Sequence, residues 1–238
     1  MCRGSAAALS AKRIVSNGID VLSLGGMKVA GTAMQSKEWT DGFLFVGNHL
    51  GLDFLNTRLV NEQGPVELLP DTTSLRRWFH AVGLLKGVKK DQVAQTWDKS
   101  PAGRCFLQDL LVFREKLRST VLRLESGKSP ESAFLQELNE RLLAYPHRYV
   151  VVSSRSGTRR QTYLDAAVDP SDLWRELADS AAHLLTDIPV NRLRKCEGCV
   201  VNFYDTSKKG SRRWCSMHLC GNREKVSTYR RKQRAQEA

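Results

Sequence analysis

No apolar run in the sequence comes near the length of about 18 residues that a membrane span requires, so a transmembrane helix is excluded. Cysteine is sparse, at six in 238 residues, which is too few for a disulfide-rich scaffold. No nucleophile elbow, P-loop, dinucleotide fingerprint or His-Glu-x-x-His motif occurs, and no internal repeat. No enzyme is therefore expected. Acidic residues are scarce at the C-terminal end, with 4 against 13 basic ones over residues 192–238.

What is present is a globular composition, 41% hydrophobic and 26% charged. The length suits a medium domain plus a small module. Of the net +12, residues 1–38 supply 5 basic and 2 acidic side chains, and residues 39–191 supply 19 of each. The remaining +9 is concentrated in 192–238, where a positive field points to a polyanion.

Three segments are expected. Residues 1–38 read as a disordered or extraneous arm, because Gly, Ser and Ala fill 16 of 38 positions and the apolar stretch near Ala6 is too short for a signal peptide. Residues 39–190 read as a mainly helical domain with a small β element, an α+β class. Phe43–Val46 suggests a strand and Gly51–Thr57 a helix start. Leu75, Trp78, Phe79 and Val82 keep helical spacing, with a cap at Thr72–Ser74 and a stop at Gly83. Phe106, Leu110, Phe113, Leu117, Val121 and Leu124 mark a long helix ending near Gly127, and Ser129-Pro130 opens another. A hairpin is expected from Tyr149–Val152 and Gln161–Leu164, then a helix opened by Asp169-Pro170-Ser171-Asp172 with Leu173, Leu177, Ala181 and Leu184 inward.

The chemistry gathers in residues 191–238. Cys196-x-x-Cys199 and Cys215-x4-Cys220 are separated by fifteen residues. Each close pair can aim two thiolates at one ion, and two pairs close a tetrahedron around one structural Zn²⁺. His218 in place of Cys220, a redox disulfide and an iron–sulfur cluster are the competing readings. Four protein ligands leave no open position for hydrolytic chemistry. Asn202–Tyr204 and Arg212–Trp214 are expected to pair as a hairpin, with Phe203, Tyr204 and Trp214 as a miniature core.

Four thiolates and Zn²⁺ carry −2, which lowers the segment's +9 only to +7. A final helix over about Leu219–Arg234 is expected to turn Val226 and Tyr229 inward and Arg223, Arg230 and Arg234 outward, flanked by Lys225, Arg231 and Lys232. Arg212, Arg213 and Asn222 extend the patch toward phosphates or base edges. In the middle domain Asp53, Asn56 and Thr57 form a ligand or structural motif, with His49 four residues before Asp53.

Cys220-Gly221-Asn222-Arg223, after Arg212-Arg213-Trp214-Cys215, Cys196-x-x-Cys199 and Phe203-x-Asp205, resembles the signature of CGNR-type zinc fingers. Leu52-Asp53-Phe54-Leu55-Asn56-Thr57 resembles the opening motif of the ABATE domain, a family of stress-induced transcription regulators. The resemblance covers about residues 43–232. It implies a treble-clef-like finger of hairpin plus helix, with Cys196, Cys199, Cys215 and Cys220 as ligands. It also implies a bacterial, cytoplasmic and nucleoid-associated regulator bound to double-stranded DNA, with the middle domain dimerising or sensing a small effector. An RNA- or ribosome-associated zinc protein, and a ligand-binding or enzymatic middle domain, are the alternatives.

Overall fold

The computed structural model describes residues 38–61, 63–85, 100–146, 149–154, 157–162 and 173–236. The expected arm, almost all of it before Glu38, and the helix start at Asp169–Asp172 lie outside the described residues.

Six α-helices, a 3-10 turn at Val190–Arg192, a π-type turn at Met217–Gly221 and four separate antiparallel hairpins are the regular elements of the described residues. The first hairpin pairs β1 (Trp39–Thr40) with β2 (Phe43–Leu44). Asp41 and Gly42 turn it with φ of 50° and 81°, the left-handed pair that a two-residue hairpin loop demands. The expected strand therefore stops at Leu44, and Phe45 and Val46 continue as irregular chain.

Helix α1 (Leu50–Leu55) is short and almost wholly buried. A second hairpin follows, β3 (Arg58–Asn61) with β4 (Gly64–Glu67), which the sequence reading did not anticipate. Helix α2 (Thr72–Ala81) is capped by Asp71, whose carboxylate accepts from the Ser74 N–H at 2.7 Å, rather than by Thr72–Ser74. Gly83, at φ 82°, closes it as expected.

Helix α3 (Pro101–Glu125) is the spine. Ser100 caps it through the Gly103 N–H, Pro101 occupies the first turn, and Gly127 at φ 74° ends it. Its stripe Phe106, Leu110, Phe113, Leu117 and Val121 is buried. Helix α4 (Ser132–Ala144) begins after Pro130 and buries only Phe134 and Leu138 fully. The expected hairpin forms as β5 (Tyr149–Ser154) and β6 (Gly157–Thr162). Helix α5 (Trp174–Thr186) packs Leu177, Ala178, Ala181 and Leu184 inward. Trp174 stands edge-on to Phe106 and Phe113 at 5.8 and 5.2 Å, tying α5 to α3.

In the C-terminal segment the hairpin is β7 (Leu193–Lys195) with β8 (Asn202–Tyr204). It encloses the first cysteine pair, and Arg212–Trp214 runs beside it without strand pairing. That corrects the expected pairing of Asn202–Tyr204 with Arg212–Trp214. The miniature core also differs. Phe203 is fully buried, but Leu44, Val46 and Leu59 of the N-terminal unit complete the cluster around it, while Tyr204 packs against the main core. The module thus borrows apolar surface that about 45 residues cannot supply alone.

Helix α6 (Asn222–Gln236) follows a wide π-type turn at Met217–Gly221. None of its residues is buried. No helix among the described residues is long and apolar enough to cross a membrane.

Candidate metal centre and nucleic-acid interface

Two tight turns bring the cysteines together. Cys196 leaves β7, and its N–H donates to the Val201 carbonyl at 2.9 Å, so the loop Cys196–Val201 closes on itself. Gly198 sits under Cys220, where a Cβ would come 3.1 Å from the Cys220 Cβ. On the other side the Ser216 hydroxyl accepts from the His218 and Leu219 N–H groups and starts the π-type turn that presents Cys220.

The four sulfurs all lie within 4.8 Å of one another. The Cys199–Cys215 and Cys215–Cys220 separations are both 3.8 Å. Zn–S bonds of about 2.3 Å at tetrahedral angles place sulfurs roughly 3.8 Å apart, so the donor set fits one structural zinc ion. Backbone N–H groups of Gly198 and Cys215 point at Cys196 Sγ at 3.4 and 3.3 Å, and Arg223 Nη2 at Cys220 Sγ at 3.4 Å. These donors stabilise thiolates. Hydrogen bonds from the Cys199, Cys215 and Cys220 thiols pull Cys196 far below the ordinary thiol range. The same crowding, led by Cys196, pushes Cys199 and Cys215 up. His218 is exposed and lies outside the sulfur cluster.

The basic residues divide sharply. Arg212 reaches the Cys215 carbonyl and lies 4.8 Å over the Phe203 ring. Arg213 pairs with Glu197 at 2.5 Å and covers Trp214. Arg223, expected to face outward, instead bonds the Gly198 carbonyl and the Cys220 sulfur. Arg231 pairs with Glu224 at 3.1 Å. Lys225, Arg230, Lys232 and Arg234 are exposed and have no ion-pair or hydrogen-bond partner among the described residues. Asn222 is exposed at the start of α6. Val226 and Tyr229, expected to face inward, are 48% and 63% exposed, and no residue of this helix is buried.

The middle-domain motif is engaged in holding the chain together. The Asp53 carboxylate accepts from the Gly47 N–H at 2.7 Å, and burial pushes its pKa up to about 6 against the pull of the Gly47 and Val46 N–H groups. Asn56 donates to the Asn202 carbonyl at 2.9 Å and accepts from the Asn202 N–H at 3.2 Å. The Thr57 hydroxyl donates to the Phe54 carbonyl and accepts from Arg114, which is itself buried against Glu67. His49 caps α1 by accepting from the Gly51 N–H through Nδ1 at 3.2 Å. Its Nε2 lies 3.1 Å from His183 Nδ1, with the rings stacked at 5.3 Å. Burial, then the neighbouring His183, lower the His49 pKa to about 4.

Gly47 and Asn48 were overlooked from sequence, yet they stitch the two units together. The Tyr204 N–H donates to the Gly47 carbonyl at 2.8 Å, and Asn48 Nδ2 donates to the Tyr204 carbonyl at 2.9 Å. Asn48 takes φ 55°, a left-handed position that Asn tolerates better than most residues.

A family model described as ABATE, putative stress-induced transcription regulator, matches residues 48–188. The chain belongs to the ABATE family. A second model, the CGNR zinc finger, matches residues 192–233 and so spans all four clustered cysteines. No curated protein shows significant similarity to the chain. The ABATE region supplies α1 to α5, and its opening residues from Asn48 to Thr57 touch the zinc finger through Asn48 and Asn56.

Proposed function

We propose that this ABATE protein is a non-enzymatic, zinc-dependent regulator that binds double-stranded DNA through α6. The observation that carries the reading is the exposed set Lys225, Arg230, Lys232 and Arg234 on a helix whose base is held by the zinc turn. Cations without internal partners, on a helix narrow enough for a major groove, suit phosphate and groove contacts. The zinc orients the helix, and Arg223 ties its first turn to the cysteine cluster. The ABATE region would carry dimerisation or effector sensing.

The test is DNA binding by the zinc-loaded full chain, followed by fluorescence anisotropy against salt. Four phosphate contacts give a log–log salt slope of about −3.6. Changing Lys225, Arg230, Lys232 and Arg234 together to Ala abolishes binding with zinc retained. An unchanged DNA affinity in that variant overturns the reading.

One observation favours RNA as the second reading. Tyr229 is 63% exposed between the basic residues and offers a stacking face for an unpaired base. Competition between duplex DNA and structured RNA separates the two. A Tyr229→Ala loss confined to RNA would favour the second.

A further inference from the structure

The face of α6 that looks back over the molecule lines a half-open groove of about 650 Å³. Its floor is Leu44, Leu59, Val200, Val201, Leu219 and Val226, beside Cys199, Cys215 and Cys220 of the metal cluster. Its lip is Arg230, Arg231 and Arg234. No Phe, Tyr or Trp lines it, and the exposed His218 is the one aromatic ring at its edge, so the floor itself is aliphatic. A saturated chain matches an aliphatic floor.

The charges of the lip are unequal. Arg231 is shared with Glu224, while Arg230 and Arg234, one helical turn apart, have no ion-pair partner among the described residues. Two free guanidinium forks at that spacing can clamp one carboxylate. The groove falls in the usual range of roughly 300–1,000 Å³ for small-molecule sites.

We propose that this groove binds a medium-chain aliphatic carboxylate, with the chain on the Leu/Val floor and the carboxylate between Arg230 and Arg234. The site stands on its own geometry. A consequence rests on the DNA-binding reading: the ligand occupies two of the four cations assigned to phosphate, so it weakens DNA binding and halves the salt slope to about −1.8.

The experiment is calorimetric titration of the zinc-loaded full chain with hexanoate, octanoate and decanoate below their micelle concentrations. Affinity is expected to rise about fourfold per added methylene until the groove is filled. Decanol is expected to bind more weakly than decanoate. Arg230→Gln with Arg234→Gln is expected to weaken decanoate at least tenfold and leave decanol unchanged. Val226→Glu, at an exposed floor position, is expected to abolish decanoate binding. Zinc content and circular dichroism verify that the variants fold.

The absence of decanoate binding, equal binding to the double-Gln variant, or decyl phosphate binding more than tenfold tighter than decanoate would each overturn the proposal. Anisotropy with labelled duplex is the second arm. If decanoate binds as expected but no DNA does, only the DNA reading fails. If both bind without competition, the coupling between them is overturned.

Discussion

Arg114 is 2% exposed, with Glu67, Glu115 and Thr57 as its partners. Removing one member of a buried pair leaves the rest uncompensated, so Arg114→Ala is expected to cost about 3 kcal/mol, read from urea denaturation. Asp53 and His49 make opposite contributions to pH dependence. Folding raises the Asp53 pKa to about 6, so its contribution to stability is present below the unfolded value near 3.8 and is lost as pH rises to about 6. Folding lowers the His49 pKa to about 4, so its contribution is present above 6.5 and is lost as pH falls to about 4. Between pH 4 and 6 the two slopes oppose. The Asp53→Asn variant is therefore expected to gain stability with pH more steeply than the His49→Asn variant, as measured by urea midpoints across that window. Equal slopes would refute the assignment. Gly47 has a close-approach requirement, since a Cβ would come 2.9 Å from the Asp53 backbone nitrogen. Gly47→Ala is expected to destabilise by roughly 1–3 kcal/mol, measured the same way. The need for glycine there was not legible in sequence, because the crowding comes from a hydrogen bond that exists only once α1 is formed.

Helix elements were the most legible part. The α3 stripe and its Gly127 stop are local features, and the structure places both as read, while its start at Pro101 under the Ser100 cap was not anticipated. The caps were less so, because Asp71 and the neighbouring Thr72 are both good capping types and only backbone geometry chose Asp71. The hairpin β3–β4 escaped notice because its strands, Arg58–Asn61 and Gly64–Glu67, are short and carry little apolar alternation. Helix α6 is the element whose stability owes least to packing, having no buried residue in 15. An isolated helix of that length is marginal in water. Amides of Lys225–Gln236 are therefore expected to exchange quickly in the free protein and to slow at least tenfold when DNA is bound, by hydrogen-exchange mass spectrometry. Strong protection in the free state would mean that a packing partner covers the helix.

At the scale of the molecule, the zinc finger and the ABATE region share one apolar cluster and several hydrogen bonds. Zinc removal is expected to melt Leu193–Gly221 and to expose Leu44, Val46 and Leu59, raising the binding of a hydrophobic dye. The main core contains no cysteine ligand, so α3 and α5 are expected to keep their exchange protection. Simultaneous loss of protection in α3 would show that the two regions unfold as one.

The cysteine spacing and the long helical stripe were readable directly, because both depend on neighbours within a few turns of chain. The destinations of the arginines were not. Arg212, Arg213 and Arg223 found a carbonyl, a carboxylate and a sulfur at the knuckle, leaving the unpaired charge of α6 on Lys225, Arg230, Lys232 and Arg234. Nor could the chain order reveal that Asn56 would meet Asn202, 146 residues away. Contacts between distant segments arise only when packing brings them together, and they decided which residues hold the finger and which remain open to a partner.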